Sequence, residues 1–176
     1  QFKIKIIEDA AEALGSFKDN RHSGTFGICG CISFNGNKII TTGGGGALIT
    51  NNNEIARRAK HLSKTAKIDH PWEYYHDEIG WNDRMPNINA ALGLSQLENI
   101  LEKLKSKEML MKSYCEIFEN NEIVEVFEDK DEQRISNNWL ITLMLKLKDK
   151  SEILELRNNI LKKSHENGIF IRPAWN

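Results

Sequence analysis

The chain has 176 residues, of which 40% are hydrophobic and 28% are charged, and its formal net charge is −1. This composition is typical of a soluble globular protein, and the near-neutral charge does not favour nucleic acid or an acidic membrane surface as a partner. Apolar runs stay below the ~18 residues that suggest a membrane span. The segment Gln1–Ile7 is too short and too rich in lysine for a signal peptide. The sequence has three cysteines, Cys29, Cys31 and Cys115. This odd number predicts free thiols in a reducing cytoplasm.

The first part of the sequence predicts short strands separated by turns. Phe2–Ile7 alternates apolar residues with lysines and predicts a buried strand. Asp19–Gly30 is polar and spaced by glycines, which predicts a loop or hairpin leading into a strand at Ile28–Phe34. A further short strand is predicted at Ala47–Thr50. A helix is predicted from about Glu54 to Ser63, after an asparagine-rich N-cap signal.

The middle of the sequence is irregular and then helical. Lys64–Trp81 is long and aromatic, which is typical of a functional loop or an interface. His70 and His76 lie within it, but no regular element sets their geometry, so we predict no metal site. A long helix begins near Pro86 or Asn87 and continues, with or without a break, to about residue 120.

After residue 120 the pattern changes to that of a small α+β domain. Strands are predicted at Ile123–Phe127 and Trp139–Leu147. A helix follows from Lys150 to about residue 167 and ends at Gly168 in a C-cap position. Another strand begins at Ile169–Ile171. We therefore place a domain boundary near residue 120.

The residues whose side chains could take part in catalysis or ligand binding are concentrated before Thr50. Lys38 lies five residues after Ser33 and is followed by two threonines and the four glycines of Gly43–Gly46. Such a glycine run is typical of a backbone that turns sharply or approaches a bound group closely. Asp9 follows the first predicted strand, where acidic residues fit a ligand crevice of an α/β sheet. An equally good interpretation is that Asp9 caps a short helix.

These residue types together suit pyridoxal phosphate. A lysine amine such as that of Lys38 can form a Schiff base with an aldehyde cofactor. A carboxylate such as that of Asp9 or Glu12 can keep a pyridine nitrogen protonated. A hydroxyl such as that of Ser33, with exposed backbone N–H groups, can bind phosphate.

The order and spacing of several motifs resemble a known family. These motifs are Glu8–Gly15, Gly24–Gly27, Ser33 with Lys38 and Thr41–Gly43, and Gly80–Gly93. They are similar to those of the sugar aminotransferases of the DegT/DnrJ/EryC1/StrS group. The resemblance implies an α/β fragment of a fold-type I pyridoxal-phosphate-dependent aminotransferase. Residues 1–120 would be the C-terminal part of its cofactor-binding large domain with the long helix, and residues 121–176 part of its small α+β domain.

The resemblance also implies a role for each matching residue. Lys38 would form the Schiff base with the cofactor and move the proton between cofactor and sugar. Asp9 would pair with the pyridine nitrogen, Glu12 would lie beside the ring, and Ser33 would bind the phosphate. Asn82 matches an asparagine that reaches the cofactor phosphate of the partner subunit, which implies a homodimer with a shared active site.

Some positions point to one branch of the family. Gly44 stands where the family commonly has glutamate. With the loop segments His70–Trp72 and His76–Glu78, it resembles the branch that acts in legionaminic acid and related bacterial sugar pathways. That branch implies a nucleotide-linked 4-keto-6-deoxy-2-acetamido sugar as substrate and glutamate as amino donor. Because family members are much longer than this chain, we expect the isolated chain to be inactive.

Two alternatives come from other functional classes. One is a sugar 3-dehydratase of the same family, which uses the cofactor without a Schiff-base lysine and carries histidine at the position of Lys38. The other is a non-catalytic module whose glycine loop holds a nucleotide or phosphate. The Gly-Lys-Ser/Thr order of a P-loop is not present in the sequence, which argues against that module.

Overall fold

The computed structural model describes residues 3–174. They fall into two compact units, a first unit of Gln1–Met109 with Asp129–Trp139 and a second unit of Leu110–Glu128 with Leu140–Asn176. In chain order, the helices and strands are β1 (Ile7–Asp9), β2 (Phe17–Lys18), β3 (Arg21–His22), β4 (Cys29–Ser33), β5 (Gly46–Ile49), α1 (Asn53–Leu62), α2 (Asn87–Glu98), α3 (Ile100–Phe118), β6 (Val124–Val126), β7 (Arg134–Ile135), β8 (Leu143–Leu145) and α4 (Lys150–Glu166).

The main sheet of the first unit has the strand order β1–β4–β5. Strands β1 and β4 are parallel, with Asp9 opposite Cys31, and β5 runs antiparallel to β4, with Gly46 opposite Ser33. Parallel pairing places the carboxyl ends of β1 and β4 at one edge of the sheet. The buried apolar residues of the described chain include Ala10, Cys29, Ile32, Ile40 and Ala66.

The first predicted strand is only partly correct. Phe2 lies outside the described residues, and β1 begins only at Ile7. The prediction of a buried strand is wrong, because Ile4, Ile6 and Ile7 have exposed fractions of 74%, 62% and 66%. Since β4 is the strand hydrogen-bonded to β1 among the described residues, β1 forms an edge of this sheet.

The sequence predicted a loop or hairpin at Asp19–Gly30, and the structure has a hairpin at residues 17–22 followed by a loop that leads to β4. Strands β2 and β3 are antiparallel, and the turn between them has Asp19 and Asn20 at φ angles of 50° and 60°. Asparagine and aspartate tolerate this left-handed conformation better than most residues. Strand β7 pairs with the other edge of β2, with Ile135 opposite Phe17. A residue more than a hundred positions away is therefore brought next to the hairpin.

The predicted helices of the first unit are confirmed. Helix α1 has Asn52 as its N-cap, and the Oδ1 atom of Asn52 accepts hydrogen bonds from the N–H groups of Glu54 (2.9 Å) and Ile55 (3.1 Å). The long helix consists of α2 and α3, which are separated at Asn99 (φ −108°). Within residues 3–174, no helix has both the length and the hydrophobicity needed to cross a membrane.

In the second unit, the sequence overestimates the strands. Strand β8 covers only Leu143–Leu145 of the predicted Trp139–Leu147, and it pairs antiparallel with β6. Helix α4 is confirmed, and Gly168 follows it with φ 74°. The strand predicted at Ile169–Ile171 is wrong. Its first N–H group instead donates to the carbonyl of Ser164 at 2.8 Å and completes the end of α4.

We expect Gly30→Ala to destabilise the first unit. A Cβ atom at Gly30 would lie 2.3 Å from the carbonyl oxygen of Gly24. Backbone atoms cannot move aside as a flexible side chain can, so the free energy of unfolding should fall by about 1–3 kcal/mol. Urea denaturation measures this change. Gly36→Ala is the matched control, because a Cβ atom there meets nothing within 4 Å. Equal effects of the two substitutions would contradict this account of Gly30.

Candidate active site

Two polar side chains lie at the carboxyl edge of the main sheet. Asp9 is the last residue of β1 and Ser33 the last residue of β4. The Asp9 side chain accepts a hydrogen bond from the N–H group of Ala11 (3.1 Å), and the chain continues into a turn rather than a helix. The interpretation of Asp9 as a helix cap is therefore wrong. The Ser33 hydroxyl oxygen accepts a hydrogen bond from the N–H group of Asn35 at 3.3 Å.

Lys38 lies in the turn that follows β4, and its side chain is directed inward. Its Nζ atom donates a hydrogen bond to the Oε1 atom of Glu12, and the two groups form an ion pair. The Lys38 side chain is 12% exposed, against 46% for Glu12. The structure therefore brings together two of the side chains that the sequence singled out. This contact and the strand pairing gather Asp9, Glu12, Ser33 and Lys38 in one region of the first unit.

Helix α2 fixes the threonines that follow Lys38. The Gln96 side chain accepts a hydrogen bond from the Thr41 N–H group (3.2 Å) and donates one to the Thr41 carbonyl oxygen (2.8 Å). The Asn89 amide donates to the carbonyl oxygen of Thr42 at 2.5 Å. Neither Asn89 nor Gln96 was predicted from the sequence to be a site residue. Their spacing of seven residues, about two helical turns, is the signal that places them on one face.

The glycines after Thr42 have conformations that other residues rarely adopt. Gly43 and Gly45 have φ angles of 79° and 94°. The Thr42 hydroxyl donates to the carbonyl oxygen of Gly44 and closes this turn, and Thr42 itself is 1% exposed. The glycine run therefore serves a sharp backbone turn beside the site.

A carboxylate that the sequence analysis left without a role organises the loop between β3 and β4. Glu8 accepts hydrogen bonds from the N–H groups of Gly24 (2.7 Å) and Gly27 (2.5 Å). Partial burial alone would raise the pKa of Glu8. The hydrogen bonds from Gly27, Gly24 and Phe26, together with the charge of Arg21, outweigh that effect and lower the pKa. Glu8 therefore stabilises this loop in its ionised form.

Comparison with known proteins gives the family. The model of the DegT/DnrJ/EryC1/StrS aminotransferase family matches residues 1–176. The chain belongs to this family. The resemblance that the motifs indicated is thereby confirmed.

Relatives and solved structures agree with this assignment. The chain is 36% identical over 170 residues to the GDP-perosamine synthase of Escherichia coli O157:H7, covering 97% of this chain and 44% of that protein. It is 30% identical over 139 residues to the UDP-4-amino-4,6-dideoxy-N-acetyl-beta-L-altrosamine transaminase of Campylobacter jejuni (strain 81-176), covering 78% of this chain and 37% of that protein. The structure is similar to that of Helicobacter pylori PseC, an aminotransferase involved in the biosynthesis of pseudoaminic acid. The TM-score is 0.86 at 28% identity, and the match covers 98% of this chain and 46% of PseC.

These comparisons also confirm the predicted fold class. The chain has the mixed α/β fold of pyridoxal-phosphate-dependent sugar aminotransferases and spans less than half the length of these relatives. The E. coli GDP-4-keto-6-deoxy-D-mannose-3-dehydratase with bound hydrated PLP has the same fold, with a TM-score of 0.83 at 22% identity. The fold alone therefore does not separate a transaminase from a dehydratase.

Asn82 follows the aromatic loop and precedes α2. It is exposed and forms an isolated β-bridge with Lys64. Among the described residues, Asn82 has no hydrogen bond or ion pair with Asp9, Glu12, Ser33 or Lys38. Within this single chain, the structure does not join Asn82 to the other predicted site residues.

An ionic cluster joins α1 to the aromatic loop. Both guanidinium nitrogens of Arg58 donate to the Glu78 carboxylate, and the His61 ring lies 2.7 Å from an oxygen of Asp77. The hydrogen bonds from Arg58 lower the pKa of Glu78, and those to Glu78 raise the pKa of Arg58. The groups of this cluster compensate one another's charge and hold the loop against the helix.

We expect Glu8→Gln to weaken the first unit at neutral pH and to reduce its sensitivity to acid. The pKa of Glu8 is lowered in the folded state, so its stabilising effect is present above the ordinary pKa. That effect is lost as the pH falls below the ordinary pKa of glutamate and passes through the lower folded-state pKa. Urea denaturation at several pH values measures this. Glu98→Gln, at the exposed end of α2, is the matched control. An unchanged pH profile in Glu8→Gln would contradict the assignment.

Proposed function

We propose that the complete protein is a pyridoxal-phosphate-dependent transaminase that aminates a nucleotide-linked 4-keto-6-deoxy sugar with glutamate as the donor. We propose that this sugar carries a 2-acetamido group, as in the legionaminic-acid-type branch, and that the reaction serves bacterial surface-sugar biosynthesis. The observation that carries the proposal is the inward-directed Lys38 amine, paired with Glu12. Relatives named for GDP-perosamine and for a UDP-linked amino sugar support the substrate class.

The chemical groups around Lys38 fit pyridoxal phosphate. The set contains an amine, two carboxylates and a hydroxyl near the carboxyl edge of the sheet. When bound, this cofactor supplies an aldehyde and a protonated pyridine ring that withdraws electrons from the reacting carbon. In our proposal Lys38 holds the cofactor covalently, Asp9 pairs with the ring nitrogen, Ser33 binds the phosphate, and Glu12 lies beside the ring.

Lys38 is the residue that moves protons in this proposal. Once the amino group of the donor has displaced Lys38 from the cofactor, the free Nζ atom of this lysine would take a proton from the carbon of the donor and later deliver a proton to the carbon of the sugar. The Glu12 carboxylate holds the resulting ammonium group through a charge-assisted hydrogen bond. The lysine side chain is largely shielded from water, whereas the Glu12 carboxylate is partly exposed.

The complete protein is proposed to contain two domains, to form a homodimer and to lie in the cytoplasm. We propose that residues 1–120 belong to the cofactor-binding large domain and residues 121–176 to part of the small domain. Asn82 would reach the cofactor phosphate of a partner subunit, so that a homodimer shares its active sites. The isolated chain, which spans less than half of its relatives, would then be inactive. The free thiols Cys29, Cys31 and Cys115 agree with the reducing cytoplasm that we propose as its location.

Lys38 favours transamination over the dehydratase reaction. The E. coli 3-dehydratase shares the fold at 22% identity, and that similarity concerns the fold alone. The family resemblance implies histidine at this position in the dehydratases. The lysine amine therefore supports transamination over dehydration in this proposal.

We expect Lys38→Ala to abolish transamination in the complete protein. Loss of the amine removes both the covalent attachment and the proton transfer, so kcat should fall by roughly 10³-fold or more. The assay follows amine transfer from glutamate to UDP- and GDP-linked 4-keto-6-deoxy sugars, with and without the 2-acetamido group. Borohydride reduction followed by mass spectrometry should find a pyridoxyl group on Lys38 in the wild type.

Lys67→Ala is the matched control for this experiment. Lys67 lies over an aromatic ring, with its Nζ atom 3.8 Å from the centroid of Tyr74, and it has no place in the proposed site. This variant should keep wild-type activity and the pyridoxyl group on Lys38. Amine transfer at the wild-type rate by Lys38→Ala would show that the proposal is wrong. Activity only on sugars without the 2-acetamido group would overturn the branch assignment alone.

A further inference from the structure

We propose that Trp139 is a positioning residue for the Lys38 amine, an inference that rests on the proposed function. The Nζ atom of Lys38 lies 4.4 Å from the centroid of the Trp139 ring. The indole Nε1–H group donates a hydrogen bond of 2.6 Å to the carbonyl oxygen of Asn37, the residue before the lysine. The same tryptophan therefore contacts the turn through its N–H group and the lysine side chain through its ring.

The backbone around Trp139 is itself anchored to the other side of the site. Asn137 is 5% exposed, and its amide donates to the carbonyl oxygens of Glu12 (2.6 Å) and Leu14 (2.9 Å). Its Oδ1 atom accepts a hydrogen bond of 3.0 Å from the N–H group of Trp139, and its own N–H group donates to Ser16. One buried asparagine therefore links the backbone at Glu12 to the backbone at Trp139.

The backbone segments that carry the two partners of the Lys38 ammonium group are thereby linked to each other. Lysine is a compact charge on a flexible four-carbon stem, so a single carboxylate contact leaves its amine several positions. An aromatic face attracts a cation through its negative electrostatic potential, and tryptophan does so most strongly. With the ring of Trp139 on one side and the Glu12 carboxylate at hydrogen-bond distance, the amine has one favoured position.

A purely structural role for Trp139 makes a different prediction. If the indole merely filled space, any apolar side chain of similar size would leave the reactivity of Lys38 unchanged. If the ring holds the amine, the reactivity of Lys38 should follow the aromatic character of residue 139. Tryptophan fluorinated on its benzene ring is the sharpest probe, because it keeps the shape and the N–H group while weakening the attraction for a cation.

The test compares variants of the complete protein at position 139. Trp139→Phe keeps an aromatic face, Trp139→Leu removes it, and site-specific fluorinated tryptophan weakens it. After the cofactor is removed, each protein is treated with an amine-acylating reagent, and the rate at which Lys38 is modified relative to the other lysines is measured by mass spectrometry. With the cofactor restored, kcat and KM are measured for glutamate. Tyr74→Leu, which removes the ring beneath Lys67, is the matched control.

We expect Trp139→Leu to raise Lys38 acylation and to lower kcat, each by roughly 2- to 30-fold, with KM for glutamate little changed. Trp139→Phe and fluorinated tryptophan should lie between Trp139→Leu and the wild type. Tyr74→Leu should change the acylation of Lys67 and leave that of Lys38 unchanged. Equal acylation of Lys38 with tryptophan and fluorinated tryptophan would overturn the proposal even if Trp139→Leu does not fold. Absence of a pyridoxyl group from Lys38 in the reduced wild type would instead refute the proposed function, and acylation would still measure the effect of Trp139.

Discussion

The first unit depends on a lysine ammonium group that is held away from water. Lys38 is 12% exposed, and removing a charge from water is unfavourable unless other groups compensate for the lost hydration. The Glu12 carboxylate supplies the opposite charge and the Trp139 ring supplies a polarisable face. These partners come from the segments after β1 and β7, whereas the lysine follows β4. The contact therefore requires that three distant parts of the chain meet at one edge of the sheet.

The strand pairing explains how they meet. Parallel pairing of β1 with β4 brings the segments that carry Glu12 and Lys38 to the same edge. Antiparallel pairing of β7 with β2 brings the late segment back to the hairpin, and the N–H group of Asp19 donates to the carbonyl oxygen of Gln133 at 2.9 Å. Asn137 then completes the connection through its hydrogen bonds to Glu12 and Leu14. Strand pairing brings the segments together, and the buried side-chain amide of Asn137 links the segment after β1 to the segment after β7.

The sequence predicts the parts of this arrangement that local patterns determine. The turn-rich segment before β4 and the capped helices follow from neighbouring residues. The pairing of Lys38 with Glu12 joins residues 26 positions apart, and the sequence indicated their association only through residue types and family resemblance. Trp139 and Asn137 could not be placed in this way, because their partners are about a hundred residues distant. Alternating apolar residues predicted a strand beginning at Trp139. Instead, its backbone N–H group donates to the Asn137 side chain and its indole N–H group donates to the carbonyl oxygen of Asn37. The strand predicted at Ile169–Ile171 is wrong for a related reason, since its first N–H group completes α4.

Proteins of this fold differ in their chemistry through the side chains that the common backbone fold positions. A dehydratase and a transaminase have the same fold, so the fold leaves the reaction undetermined. A histidine at position 38 would have a shorter side chain, and its ring could not place an amine between Glu12 and Trp139. The lysine, in contrast, spans the distance to both partners. The partners of Lys38 are thus matched to the length and charge of a lysine, which links the architecture of the site to amine chemistry.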